Sequence, residues 1–281
     1  MEYLLKKAPG LVLQKDKISS TVASLLSHAL DTNPRTFKTN DRLPYGYHFT
    51  LFPSITTEKE LSPDGYTTEH APLAPYLHRV WASGSIEWKS PPLKIDDEVS
   101  QSSYIKNIQS RGSDEKIFVE LEKLISHQGS SKVSVKETRT LAYLKDLSFR
   151  QSSSLHSFAA YNPPCDVSEA FFPSRTSLFR YSALTYNAHK IHLDKEYAQK
   201  VELLQDCLVH GPLTCTLLLS MAQRHLQGAV FKRLSYRAIS PLFVEKPIQL
   251  SLKRVSDTSF SLWAVDKEES RLAMKATLEV Y

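Results

Sequence analysis

His210-Gly211-Pro212-Leu213-Thr214-Cys215-Thr216-Leu217-Leu218-Leu219-Ser220-Met221-Ala222-Gln223-Arg224-His225-Leu226-Gln227-Gly228 is the stretch on which the fold turns. Pro212 sits in a first helical turn, where a missing N–H costs nothing. Gly228 sits where helices commonly end. Between them Leu213, Leu217, Leu218, Leu219, Met221, Ala222 and Leu226 cover more than one stripe. A helix apolar around most of its girth is a buried one. About 16 residues give it a length of roughly 24 Å. Residues 230–240, 246–254, 259–266 and 271–280 then read as four strands. The pattern predicts an α+β architecture in which an antiparallel sheet wraps around a central helix.

Working outward, a helix is expected around 195–206, preceded by residues 177–182 and a polar, His-rich segment. Residues 148–164 are Ser-rich, close on Asn162-Pro163-Pro164 and read as a linker. The first half has a different texture. Residues 80–88, 103–110, 116–124 and 132–144 are rich in β-branched and aromatic residues. Turn signals separate them at Ser90-Pro91-Pro92, Arg111-Gly112-Ser113 and Gln128-Gly129-Ser130, as in an antiparallel meander. Residues 41–78 carry too many prolines for long elements. Residues 18–30 have apolar side chains at helical spacing, either the first helix of the fold or part of a targeting segment. The expected organisation is thus 1–40, an N-terminal helix and possible targeting segment; 41–147, a first domain; 148–164, a linker; and 165–281, a second domain.

Composition narrows the function. The 281 residues are 41% hydrophobic and 23% charged, as expected of a globular chain rather than a disordered one. No apolar run approaches the ~18 residues of a membrane span. Cys165, Cys207 and Cys215 form no C-x-x-C pair, against both a disulfide scaffold and a cysteine zinc site. The net charge of +5 comes without a basic run or aromatic–basic alternation, which disfavours nucleic acid and leaves an acidic protein or a phosphate-bearing ligand. Neither G-x-G-x-x-G, the P-loop pattern nor G-x-S-x-G occurs.

The chemistry concentrates in residues 180–194, where Asn187, His189, His192 and Asp194 share a short polar segment just before the central helix. Imidazole titrates near working pH, so His192 suits proton transfer. The Gly211 N–H, at the positive end of a buried helix, suits an oxyanion. His189, His192, His210 and Asp194 could in principle ligate a metal, but no metal is expected here. His210 reads equally as a structural residue, and Asp194 and Asp206 equally as caps.

Ile191-His192-Leu193-Asp194 followed by Glu196-Tyr197-Ala198, together with His210-Gly211-Pro212-Leu213-Thr214, resembles the two motifs of the hydratase-2, or MaoC-like, family. The wording with Asn187 and His189 is closer to its mitochondrial 3-hydroxyacyl-thioester dehydratase type 2 branch. Leu43-Pro44-Tyr45-Gly46-Tyr47-His48-Phe49, Ser62-Pro63-Asp64-Gly65 and Arg79-Val80-Trp81-Ala82-Ser83-Gly84 resemble the N-terminal half of that branch. The resemblance implies a double hotdog, each sheet wrapped around a central helix, with a non-catalytic N-terminal half covering an acyl tunnel. It implies loss of water from an (R)-3-hydroxyacyl thioester on acyl carrier protein or CoA, in mitochondrial (matrix) type II fatty acid synthesis, without a dissociable cofactor. His192, Asn187 and His189 would be catalytic. Gly211, His210 and Pro212 would bind the thioester, with Asp194 and Tyr181 in support. Asn187 departs from the wider family, which has Asp there, and His189 stands where that family has Asn. Two rivals remain: a hydratase of a short branched or dicarboxylic acyl-CoA, with Arg79 or Arg180 as the carboxylate's partner, and a non-catalytic acyl-binding hotdog. Two fused hotdogs lean towards a monomer or loose homodimer.

Overall fold

The structure, a computed structural model, describes residues 11–68, 75–111, 116–147 and 160–281. Ten strands form one continuous antiparallel sheet in the order β1-β3-β4-β5-β2-β7-β10-β9-β8-β6. The first five are β1 (Val12–Lys17), β2 (His78–Trp88), β3 (Glu98–Arg111), β4 (Lys116–His127) and β5 (Val133–Leu144). The second five are β6 (Val167–Phe171), β7 (Phe231–Ala238), β8 (Ile248–Ser256), β9 (Ser259–Asp266) and β10 (Arg271–Val280). The same internal order therefore occurs twice. The two halves meet where β2 pairs with β7, from Ser83 opposite Arg237 to Glu87 opposite Arg233.

Each half opens with a short edge strand and a helix: β1 and α1 (Ser20–Leu30), then β6 and α2 (Arg175–Leu184). Ser19 and Ser174 cap the two helices, their Oγ atoms accepting from the N–H of Val22 and Ser177. The edge strands were not expected from the sequence, because they are short and half exposed; β1 alternates strictly between half-buried and exposed positions. Residues 12–17 pair with β3, and Ile18, Ala23, Leu26 and Leu30 lie in the core. The first half of the fold thus begins within the segment set apart as 1–40. Most of the expected linker, residues 148–159, lies outside the described residues.

The expected central helix is α4 (Gly211–His225), with Leu217, Leu218, Leu219, Met221 and Ala222 fully buried. Burying each large aliphatic side chain stabilises the fold by about 1.5–3 kcal/mol. The helix expected over 195–206 stops early, as α3 (Lys195–Lys200). Among the described residues, the N-terminal half has no helix as long as α4. Gly46, with φ +89°, leads into a single 3-10 turn, Tyr47–Thr50. A Cβ on Gly46 would lie 3.2 Å from both Thr216 Cα and Leu219 Cδ1, so this turn packs directly on α4. The double hotdog is present, with the long buried helix in its C-terminal half and this 3-10 turn against it from the N-terminal half.

Candidate active site

The site is assembled by the chain turning sharply after α2. Thr185 ends the helix, Tyr186 takes φ +50°, and the N–H of Asn187 donates to the Ser182 carbonyl. Asn187 Oδ1 then accepts the backbone N–H of His189 at 3.0 Å. That bond makes Asn187 an orderer of the loop, a use open to Asn and Asp alike. A 3-10 turn, Lys190–His192, follows, and Asp194 Oδ1 caps α3 by accepting from the Tyr197 N–H at 3.0 Å. Asp194 is exposed and touches none of the histidines by these bonds, so the structure gives it the capping role.

The strand of chain leading into α4 runs alongside this turn. The Leu208 N–H donates to the Ile191 carbonyl, and His192 Nδ1 lies 2.8 Å from the Leu208 carbonyl. A carbonyl only accepts, so Nδ1 carries the proton and Nε2 keeps its lone pair. The His210 ring stacks on that of His192 with centroids 3.7 Å apart and planes 22° off parallel. His210 is fully buried, with Nε2 2.8 Å from Ser182 Oγ and its ring 5.0 Å from that of buried Tyr181. His189 stands perpendicular to His192, centroids 5.6 Å apart. Three imidazoles therefore form one contiguous cluster that ends at His210, the N-cap residue of α4. Gly211 is its first residue, and its N–H belongs to the turn that has no internal acceptor. Pro212 follows without an N–H, so it shapes the turn and donates nothing.

Desolvation governs the titration of this cluster. Burial pushes His192 down to about 4, against the opposing pull of the Leu208 carbonyl. Burial also lowers His189, with His192 and Arg79 adding to it, and lowers His210, with the other two imidazoles adding to it. All three are neutral at pH 7, the state in which an imidazole can accept a proton.

The N-terminal half, expected to be non-catalytic, places two side chains against this cluster. A Cβ on Gly211 would fall 2.2 Å from Cε3 of Trp81, so the close packing of this indole requires glycine there. The second is Asp64, only 4% exposed, whose Oδ2 lies 3.3 Å from His189 Nε2. The Asp64 carboxylate also takes Arg79 Nε at 3.0 Å. Arg79 spends its other donors on Thr67 O and Ser62 Oγ, at 2.9 and 3.0 Å. It is consumed in its own half and is not the free arginine the sequence allowed; Arg180 is exposed.

Behind Trp81 lies a second buried group. Arg139 Nε donates to Glu137 Oε1 at 2.7 Å, and Glu137 Oε2 is 3.7 Å from His48 Nε2. The Arg139 guanidinium sits 6.0 Å from the Trp81 ring and 5.7 Å from Phe49. Burial would raise Glu137, but Arg139, Lys123 and His48 outweigh it and hold it below the usual carboxylate range. His48 is driven by burial to about 4. Trp81 Nε1 and Tyr236 Oη are buried beside this group without a hydrogen-bond partner. Sequence reading reached Asp64, Trp81 and His48 only inside motifs quoted for their resemblance, and the pairs they form are long-range.

Among the described residues, no three His, Cys, Asp or Glu side chains converge as metal ligands, and no helix is long and apolar enough to cross a membrane. A ten-stranded antiparallel sheet around a long buried helix defines the class, a double-hotdog protein. A MaoC-like dehydratase from Phytophthora capsici is similar over 99% of this chain and 98% of its own, with TM-score 0.73 and 14% identity. HtdX of Mycobacterium tuberculosis is similar with TM-score 0.70 and 17% identity, over 96% of this chain and 100% of its own. Residues 46–244 match the family hydroxyacyl-thioester dehydratase type 2, and the chain belongs to that family. Its relatives include the mitochondrial hydroxyacyl-thioester dehydratase type 2 of Schizosaccharomyces pombe, 25% identical over 81% of this chain and 83% of that one. Mesaconyl-C(4)-CoA hydratase of Chloroflexus aurantiacus is 29% identical over 85% of this chain and 84% of that one. The chain is a hydro-lyase by this membership.

Proposed function

We propose that the chain removes water from (R)-3-hydroxyacyl thioesters, carried on acyl carrier protein or CoA, to give trans-2-enoyl thioesters in mitochondrial type II fatty acid synthesis. The observation that carries this reading is His192 stacked on His210 at the first turn of α4, with Nε2 left as a base. The thioester carbonyl acidifies the hydrogens on C2. His192 Nε2 takes one of these protons. As the C2=C3 bond forms and the C3–O bond breaks, the imidazolium returns that proton to the departing hydroxyl, which leaves as water. Negative charge gathers meanwhile on the thioester oxygen, where the Gly211 N–H and the α4 dipole stabilise it. His189 orients the hydroxyl, Asn187 and Tyr181 hold the loop and His210 in place, and Pro212 preorganises the turn. Two hotdogs already joined in one sheet support a monomer or a loose homodimer.

A second reading is favoured by one feature. The Arg139–Glu137–His48 group and the unpartnered Trp81 Nε1 and Tyr236 Oη make the region behind Trp81 polar. A short acyl group ending in a carboxylate suits that region better than a long alkyl chain. Hydration of trans-2-enoyl-CoA of four and ten carbons, beside a four-carbon dicarboxylic enoyl-CoA, separates the two. Activity on the ten-carbon chain supports the fatty-acid role, and activity confined to the diacid supports the second. Activity on none, with carrier-bound substrates also inert, would leave a non-catalytic acyl-binding protein.

A further inference from the structure

We propose that Asp64, supplied by the N-terminal half, is the carboxylate that positions His189, in place of the acid missing at Asn187; the proposal rests on the dehydratase reading above. The arrangement is fixed from several sides. Asp64 Oδ1 accepts the Tyr66 N–H at 3.0 Å and the Ser62 hydroxyl, while Oδ2 takes Arg79 and faces His189 Nε2. The loop carrying it is fastened to the histidine's own segment. The Lys190 N–H donates to the Asp64 carbonyl at 2.8 Å, and Lys190 Nζ to the Pro63 carbonyl at 2.7 Å. A Cβ on Gly65 would lie 2.4 Å from the Ala188 carbonyl oxygen, so nothing larger than glycine allows this approach. Backbone contact thus sets the carboxylate opposite the ring.

The 3.3 Å separation is too poorly aligned for a hydrogen bond, and both His189 Nε2 and Asp64 Oδ2 are buried. Catalytic hydrogen bonds are often loose before substrate binds and tighten in the complex. A carboxylate opposite Nε2 selects the tautomer with Nε2–H and leaves Nδ1 as an acceptor. His192 is held the other way round, with Nδ1–H on Leu208 and Nε2 free. The two perpendicular imidazoles are therefore fixed in opposite tautomers. One takes the C2 proton, and the other accepts the hydroxyl proton in a hydrogen bond, so the hydroxyl oxygen turns its lone pairs to His192. The charged and titratable groups around His189 are Asp64, Arg79, His192, His210 and, through its ring at 5.8 Å, Tyr66. Asp64 is in this sense a positioning residue.

Two measurements test it. In wild type labelled with 15N-histidine, long-range 1H–15N correlation, with His189→Gln supplying the assignment, should find His189 neutral with its proton on Nε2. A proton on Nδ1 overturns the proposal. The second is a double-mutant cycle on enoyl-CoA hydration. Asp64→Asn should lower kcat about 30-fold with little change in KM, yet cost under about 2-fold in the His189→Gln background. Equal losses in both backgrounds would reduce Asp64 to a partner of Arg79 and sink the idea. If Asp64→Asn does not fold, the tautomer decides. If wild type turns over no thioester, the dehydratase reading fails, while the tautomer still reports on Asp64.

Discussion

The two halves of the molecule share one strand order and bring different polar groups to the candidate site. The C-terminal half places three neutral imidazoles at the start of a 15-residue helix, each with a free or weakly held nitrogen. The N-terminal half, with one 3-10 turn in that place, brings ion pairs up to the site: Asp64 with Arg79, and Glu137 with Arg139. Neutral histidines can exchange protons with a substrate, whereas paired ions hold shape. On the proposed reading, the difference teaches that the chemistry lies in the half that carries the long helix. The other half holds that chemistry in position, through Asp64 and Trp81.

The comparison breaks first at the histidines. His192→Ala should lower kcat/KM for enoyl-CoA hydration by about 10³-fold, far more than any loss of folded protein accounts for. His48→Ala, in the other half, should leave kcat/KM within a few-fold and lower the melting temperature instead. Equal kinetic losses would erase the distinction between the halves. Next comes the buried ion pair. Arg139→Met strands the Glu137 carboxylate and should destabilise the fold by about 3–5 kcal/mol, read by urea unfolding. A loss below about 1 kcal/mol would mean that Glu137 is protonated or reaches solvent.

Acid sharpens the contrast. His48 and His192, at about 4 in the folded state and near 6.5 unfolded, bind more protons when unfolded across that interval. Their contribution to stability is whole above pH 6.5 and falls as pH drops towards 4, by at most about 1.4 kcal/mol per pH unit for each group. Glu137, held below its usual range, acts in the same direction at the acid end. Unfolding free energy should therefore decline steadily from pH 6.5 to 4.5, and His48→Gln should flatten the slope. The smallest effect belongs to Asp194→Ala. Loss of the α3 cap should cost about 1 kcal/mol and leave turnover within 2-fold. A large kinetic loss would return Asp194 to the site.

What the sequence disclosed follows from the range of each interaction. α4 was readable because Leu217–Leu219, Pro212 and Gly228 all act within one element. The strands of both meanders were readable through their β-branched runs, although β3 begins at Glu98, ahead of its apolar core. β1 and β6 stayed hidden because a short edge strand buries only alternate side chains partway. At the site, the segment 187–192 and the turn at Gly211 were legible as chemistry. The stacking of His192 on His210 was not, because a sharp turn and a backbone bridge between Ile191 and Leu208 create it. Asp64 was still further from view. Its pairing with His189 spans the two halves, and only the fold brings them together.

The join between β2 and β7 has a consequence for how the chain is made. Residues 83–87 wait for residues 233–237, about 150 positions later, before their outer edge is paired. From the end of β5 at Leu144 to Arg237, at the usual pace of translation, is roughly 5–19 s during which the finished first half offers an open edge to any passing strand. Ser83-Gly84-Ser85-Ile86-Glu87, the stretch left bare, carries one large apolar residue and ends on a charge. A nascent chain with that edge is guarded against sticking to its neighbours on the same message.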